Sequence, residues 1–110
     1  MREIVIDTET TGLSYKTGDR IIEVGCVELL NHVATNNSLQ FYCKVDKEIS
    51  ESAQRITGIT NKFLSDKKYF SHHCDEFLKF IGKDPLIIHN ADFDAGFINN
   101  ELSLIGRPKL

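Results

Sequence analysis

The sequence predicts an α/β domain on a mixed sheet: a three-stranded antiparallel meander, a fourth strand parallel to the first, and flanking helices. Three observations predict it. Strand-like runs at residues 3–7, 20–30 and 39–45 are separated only by turns. After about residue 50 the apolar spacing changes from alternation to helical period. A second short apolar run, "PLIIH" at 85–89, lies between two helix-like stretches. At 110 residues, 41% of them hydrophobic, the chain suits one domain with a real core.

The elements follow in order. Residues 3–7, centred on Ile4-Val5-Ile6, form an apolar strand of the kind found at a sheet centre. "TGLSYKTGD" is a loop, and "RIIEVGCVELL" a long strand in which Gly25 marks a bulge or a close approach. "NHVATNN" reads as a turn. "LQFYCKV" alternates Leu39, Phe41, Cys43 and Val45 with polar residues, as in a half-buried strand. Ser50 or Ser52 caps a short helix through Ala53 to Ile56 that stops near Gly58. A longer helix over about 71–81 places Cys74, Phe77, Leu78 and Ile81 on one face. "PLIIH" returns beside the first strand, because both are fully apolar and favour a central place. "NADFDAGFINNELSLIG" is the last helix, with Asn90 as N-cap, a stripe of Phe93, Phe97, Ile98, Leu102 and Ile105, and a stop at Gly106 and Pro108.

Composition excludes several function classes. A net charge of -3 gives no broad basic surface for holding nucleic acid by its phosphates, and leaves open a small site that works through bound cations. Cys26, Cys43 and Cys74 fit neither a zinc pattern nor a disulfide framework; Cys26 and Cys43 read as core filler. No apolar run approaches membrane-spanning length and "MREIVID" has no signal-peptide layout, so a cytoplasmic protein is expected.

The chemistry is concentrated in "IVIDTETTGL". Residues two apart in a strand point the same way, so Asp7 and Glu9 share a side at the carboxyl end of the first strand. Asp94 falls in the first turn of the helix after the second central strand. If those strands are parallel neighbours, the three carboxylates converge on one sheet edge, where ligand sites of open α/β sheets lie. Converging carboxylates need positive charge, and a hard divalent cation with oxygen ligands supplies it. Two such ions would form a two-metal clamp for phosphodiester cleavage, with Mg²⁺ or Mn²⁺ the expected metal. Taken singly, each residue has a plainer reading: turn chemistry for "DTETTG", and macrodipole matching for Asp94.

Together the motifs resemble a known family. "DTETTGL" and "IIHNADFDAGF" are similar to the first and second motifs of the DnaQ-like DEDD superfamily of 3′–5′ exonucleases, with its RNase H-like fold. "RIIEVGCVEL" and "RITGITNKFLSDKKYF" match the segments between them. The resemblance covers essentially all 110 residues, and among branches of the superfamily the bacterial proofreading exonucleases match best.

The resemblance implies roles. Asp7, Glu9 and Asp94 would be catalytic metal ligands, with Asp7 and Glu9 also facing the substrate. Thr10 to Leu13 would line the terminal-nucleotide pocket, Leu13 as a wedge or else as a loop anchor in the core. Phe93 would shape that pocket or simply belong to the helix stripe. Ser52 falls at a nucleotide-contacting position. Thr57 stands where the family commonly has a histidine, and a hydroxyl can hydrogen-bond but not carry charge. His89 and Asn90 match the "HN" before the second-motif aspartate and would support the site rather than act as base. His72 and His73 read as solvated helix positions, and His32 as a turn residue.

The family's third motif, a histidine and a fourth carboxylate, has no counterpart here. No histidine and no aspartate follow Asp94. The 110 residues therefore read as the N-terminal portion of one exonuclease domain, with the C-terminal strand and helices missing. An isolated chain lacking the general base would be slowed by roughly two to four orders of magnitude. The expected activity is metal-dependent removal of nucleotides from single-stranded or frayed DNA 3′ ends. The expected partners are the polymerase and the small accessory subunit of a replicase core. The alternatives are an RNA 3′–5′ exonuclease of the same superfamily and a non-catalytic nucleotide- or polymerase-binding relic.

Overall fold

The computed structural model describes residues 1–110. Its strands are β1 (Arg2–Thr10), β2 (Ile21–Leu30), β3 (Val33–Tyr42) and β4 (Leu86–Ile88). Its helices are α1 (Glu51–Thr57), α2 (Asn61–Leu64), α3 (Phe70–Ile81) and α4 (Ala91–Leu104). The sheet order is β3-β2-β1-β4. β1 pairs antiparallel with β2 and parallel with β4, and β2 pairs antiparallel with β3. The fourth strand thus lies beside the first, as expected, but at the edge of the sheet and not in the central place its apolar composition favours.

Three boundaries differ from the sequence reading. β1 runs on to Thr10, so Asp7 and Glu9 lie inside the ladder, opposite Gly25 and Glu23. β-Branched Thr8 and Thr10 suit the packed face there, and both are buried. The turn "NHVATNN" shrinks to Asn31 and His32, whose φ values of 50° and 68° give the two-residue hairpin that matches strand twist. Val33 onward is therefore strand, and β3 ends at Tyr42. Helix α2 was not expected; Thr60 caps it by accepting from the Phe63 N–H.

Two clusters form on opposite faces of the sheet. Ile4, Ile6, Val24, Cys26 and Phe41 pack with Phe70, Cys74, Phe77 and Ile81 of α3 and with Phe97, Ile98 and Leu102 of α4. Ile22 projects the other way and packs with Val45, Ile49, Ala53, Ile59 and Leu64 around α1 and α2. The cysteines are free and buried, and burial pushes the Cys26 and Cys43 thiols up to about 12. His73 is half-buried and not fully solvated as expected: its ring stacks on Phe41 at 4.4 Å between centroids, covering the end of the aromatic cluster.

Helix ends are set locally. The Ser50 hydroxyl accepts from the Ala53 N–H and starts α1, and Gly58 at φ 73° ends it. Asn90 is the N-cap of α4 through its carbonyl, which accepts from the Asp94 N–H. At the other end the Arg107 N–H donates to the Leu102 carbonyl and the Gly106 N–H to Ser103. That is the two-bond C-terminal cap expected of Gly106.

Candidate active site

A cleft of about 880 Å³ opens at the carboxyl end of β1. Buried Thr8, Thr10 and Ala53 form its floor. One wall is the Gly12–Asp19 loop, and the other is the segment from Lys47 through Thr57, with Phe93 of α4 also lining it. The ladder shifts register between Glu9 and Thr10, so the chain leaves the sheet where the cleft begins.

Short hydrogen bonds fix the loop wall. The Thr11 hydroxyl donates to Asp19 Oδ1 at 2.8 Å and accepts from the Arg20 N–H at 3.0 Å. Asp19 Oδ2 accepts from the Ser14 N–H at 3.2 Å, and the Thr10 hydroxyl donates to the Gly12 carbonyl at 2.6 Å. Behind it, buried Glu101 accepts from Arg20 Nε and Nη2 at 2.8 and 2.7 Å and from the Ile21 N–H at 3.1 Å. This pair ties α4 to the start of β2. Sequence reasoning missed Asp19, Arg20 and Glu101, because nothing in a charge pattern shows that positions 20 and 101 meet.

The expected nucleotide-contacting residues Thr10, Leu13, Ser52, Thr57 and Phe93 all line the cleft, together with Glu9. Leu13 is 86% exposed at the lip, so it is no core anchor. Phe93 both faces the cleft and packs on Phe97, 4.9 Å between centroids. The Thr57 hydroxyl is already engaged, donating to the Ala53 carbonyl and accepting from the Ile59 N–H. His89 and Asn90 are exposed in the turn between β4 and α4.

The three carboxylates do not form the compact cluster expected of them. Asp7 is exposed and Glu9 half-buried, both on the side of β1 away from Ile4 and Ile6. Asp94 is 6% exposed, and its carboxylate accepts a hydrogen bond from the Thr8 hydroxyl on the packed side of the strand. No three of the chain's His, Cys, Asp and Glu side chains close into a metal-sized cage. The alternation of β1 explains this: Thr8 lies between Asp7 and Glu9 in sequence and points the opposite way. The electrostatic coupling is present nonetheless. The Glu9 carboxyl is held above its ordinary value first by burial, then by repulsion from Asp7, Glu23 and Asp94.

Such a donor set, all oxygen and all anionic, fits a hard divalent cation. Asp7 and Glu9 carry no ion pair; the ion pairs of the four arginines lie with Glu28 and Asp84, Glu101, Glu51 and Asp75. A cation near Glu9 would offset the burial and the repulsion that raise its carboxyl above the ordinary value.

Residues 4–109 match the profile of the Exonuclease (RNase_T) family. The chain belongs to this exonuclease family. It is 48% identical over 110 residues to DNA polymerase III subunit epsilon of Rickettsia conorii, covering 100% of this chain and 48% of that protein. The chain spans about half the length of the curated relatives it matches. Among solved structures it resembles Escherichia coli exonuclease I in complex with a dA13 oligonucleotide: TM-score 0.84, 20% identity, 98% of this chain and 25% of that one. It also resembles the nuclease domain of 3′hExo, a DEDDh family member bound to rAMP: TM-score 0.80, 22% identity, 99% of this chain and 62% of that one. The fold of this exonuclease-family chain is therefore RNase H-like, as in these nucleases.

Proposed function

We propose that residues 1–110 carry the first two motifs of one exonuclease domain that removes nucleotides from DNA 3′ ends, as a proofreading activity beside a polymerase. One observation carries this reading: the cleft at the end of β1 has Glu9 in its wall, a carboxylate pressed by burial and three neighbouring acids toward needing a cation. Asp7 and Glu9 would hold Mg²⁺ or Mn²⁺ from their side of β1, and Asp94 would join them on exchanging its bond with Thr8 for the ion, with two ions in the complete site. A bound divalent ion would supply water activation and stabilisation of the leaving 3′ oxygen.

The chain's own residues do the rest. The buried floor and Phe93 exclude water from one side of the terminal nucleotide. Exposed Leu13 offers an apolar face against the last base, and Thr10 and the Ser52 hydroxyl offer polar contacts to sugar or phosphate. Thr57 has its hydroxyl committed within α1, so its contact would be through its methyl group. His89 and Asn90 set the path from β4 into α4 and so the position of Asp94. The general base and a fourth carboxylate would come from outside these residues. The polymerase is proposed as a partner on the strength of the Rickettsia relative's name, and the small accessory subunit on the family resemblance of the motifs alone. A cytoplasmic setting is proposed with them; no helix is long and apolar enough to cross a membrane.

The test is a 5′-labelled single-stranded DNA incubated with the chain and Mn²⁺. A ladder shortening from the 3′ end, slow but abolished by Asp7→Ala, supports the reading. Products that shorten from the 5′ end, or a ladder that Asp7→Ala leaves unchanged, would overturn it. Because 3′hExo was captured with rAMP, the same assay on RNA is the second arm: faster loss of RNA than DNA would move the substrate to RNA.

A further inference from the structure

We propose that Lys47 grips a backbone phosphate of the DNA strand where it enters the cleft. This rests on the reading of the cleft as a 3′-end site and names the residue that positions the strand in it.

Among the residues lining the cleft, Glu9, Asp19 and Glu48 are acidic and Lys47 alone is basic. A strand with one negative charge per nucleotide meets a wall of its own sign. A cation near Glu9 would offset this at the inner end only. At the rim the offsetting charge has to come from the protein, and Lys47 is the one group placed to give it.

Lys47 is also uncommitted. The arginines are all in ion pairs. Lys44 and Lys67 sit over the rings of Tyr69 and of Tyr42 and Phe63. Lys47 does neither, and it is exposed. Its ammonium reaches across to the opposite wall, 4.0 Å from where a side chain on Gly18 would begin. Its backbone is held in place: the Asn61 amide donates to the Lys47 carbonyl at 3.1 Å and accepts from the Ile49 N–H at 2.9 Å. A pinned backbone carrying a free ammonium at a cleft mouth is a place to hold a phosphate.

The salt dependence of binding reads this directly, because each phosphate contact on a single strand contributes about 0.7 to the slope of log K against log salt. A short fluorescent single-stranded DNA is titrated with the full chain, with Ca²⁺ supplied in place of Mg²⁺ or Mn²⁺ so that the strand is not consumed. Lys47→Gln is expected to lower the slope by about 0.7 and weaken binding about fivefold at 0.1 M salt. Lys47→Arg is expected to keep the slope. Lys16→Gln, in the opposite Gly12–Asp19 wall but not lining the cleft, is expected to leave it unchanged. An unchanged slope in Lys47→Gln overturns the proposal, and so does an equal loss in Lys16→Gln, which would mean a diffuse field. A wild-type chain that binds no single strand overturns the cleft reading and Lys47 with it.

Discussion

Glu101→Gln should be among the most damaging single substitutions outside the apolar core. The Glu101 side chain is 1% exposed and accepts three hydrogen bonds, two from the Arg20 guanidinium and one from the Ile21 N–H. The variant keeps the shape but turns an amide N–H₂ toward donors and removes the countercharge. Breaking a buried pair from one side costs about 3–5 kcal/mol. Arg20 keeps 28% of its side chain exposed and can recover some hydration, so the lower end applies, about 3 kcal/mol. At about 4 °C per kcal/mol for a domain near this size, the melting temperature should fall by roughly 12 °C. Urea and thermal unfolding followed by circular dichroism measure it. The double variant Arg20→Met with Glu101→Leu removes both charges and should lose less than Glu101→Gln, with a remaining deficit of about 1–2 kcal/mol from the unpaired Ile21 N–H. A loss below about 1 kcal/mol in Glu101→Gln would show that this pair does not clamp α4 to β2.

Three further outcomes are expected. Glu9→Gln should raise stability at neutral pH and not at pH 4. The folded state holds the Glu9 proton above the ordinary value of 4.5, so wild type loses stability as pH rises past that value and the amide does not. Added Mn²⁺ should raise the melting temperature of wild type more than that of the variant, and equal shifts would count against a cation beside Glu9. His73 behaves in the opposite sense. Burial and then His72 hold it below 6.5, so folding loses stability as pH falls through that value; in His73→Phe, which keeps the stack on Phe41, that acid-side loss should be absent from melts at pH 5 to 7. Gly96→Ala would place a methyl 2.6 Å from the Tyr15 ring, which is already packed edge-on against Phe97. A loss of about 1–3 kcal/mol is expected from such overpacking, and unfolding in urea within about 0.5 kcal/mol of wild type would show that Tyr15 moves aside freely.

Much of this protein was legible in its residues. Strand β4 was placed beside β1 on composition alone, and that neighbour relation holds, but β4 forms the sheet edge and leaves Ile87 40% exposed instead of taking the covered central place its apolar run favours. Glu9, Thr10, Leu13 and Phe93 of the cleft were found through the motifs, since "DTETTGL" and "HNADFDAGF" name positions whatever their surroundings. Local chemistry also set the ends: Ser50, Gly58 and Gly106 act within a few residues of themselves. The register of β1 was less accessible. Pairing of Glu9 with Glu23 sets two like charges side by side, which no local preference would choose and only the ladder imposes.

What tertiary structure alone decided is where distant side chains meet. Asp94 was predicted to face the other two carboxylates, and instead it accepts from Thr8 on the packed side of β1. Arg20 and Glu101 are 81 residues apart and form the bidentate pair that braces the cleft loop. Lys47 read as one charge among many until the fold left it as the basic residue on an acidic rim. The physical reason is common to all three. Periodicity and capping depend on neighbours within a turn or two, while electrostatic and hydrogen-bond partners depend on distances that exist only after the chain has folded.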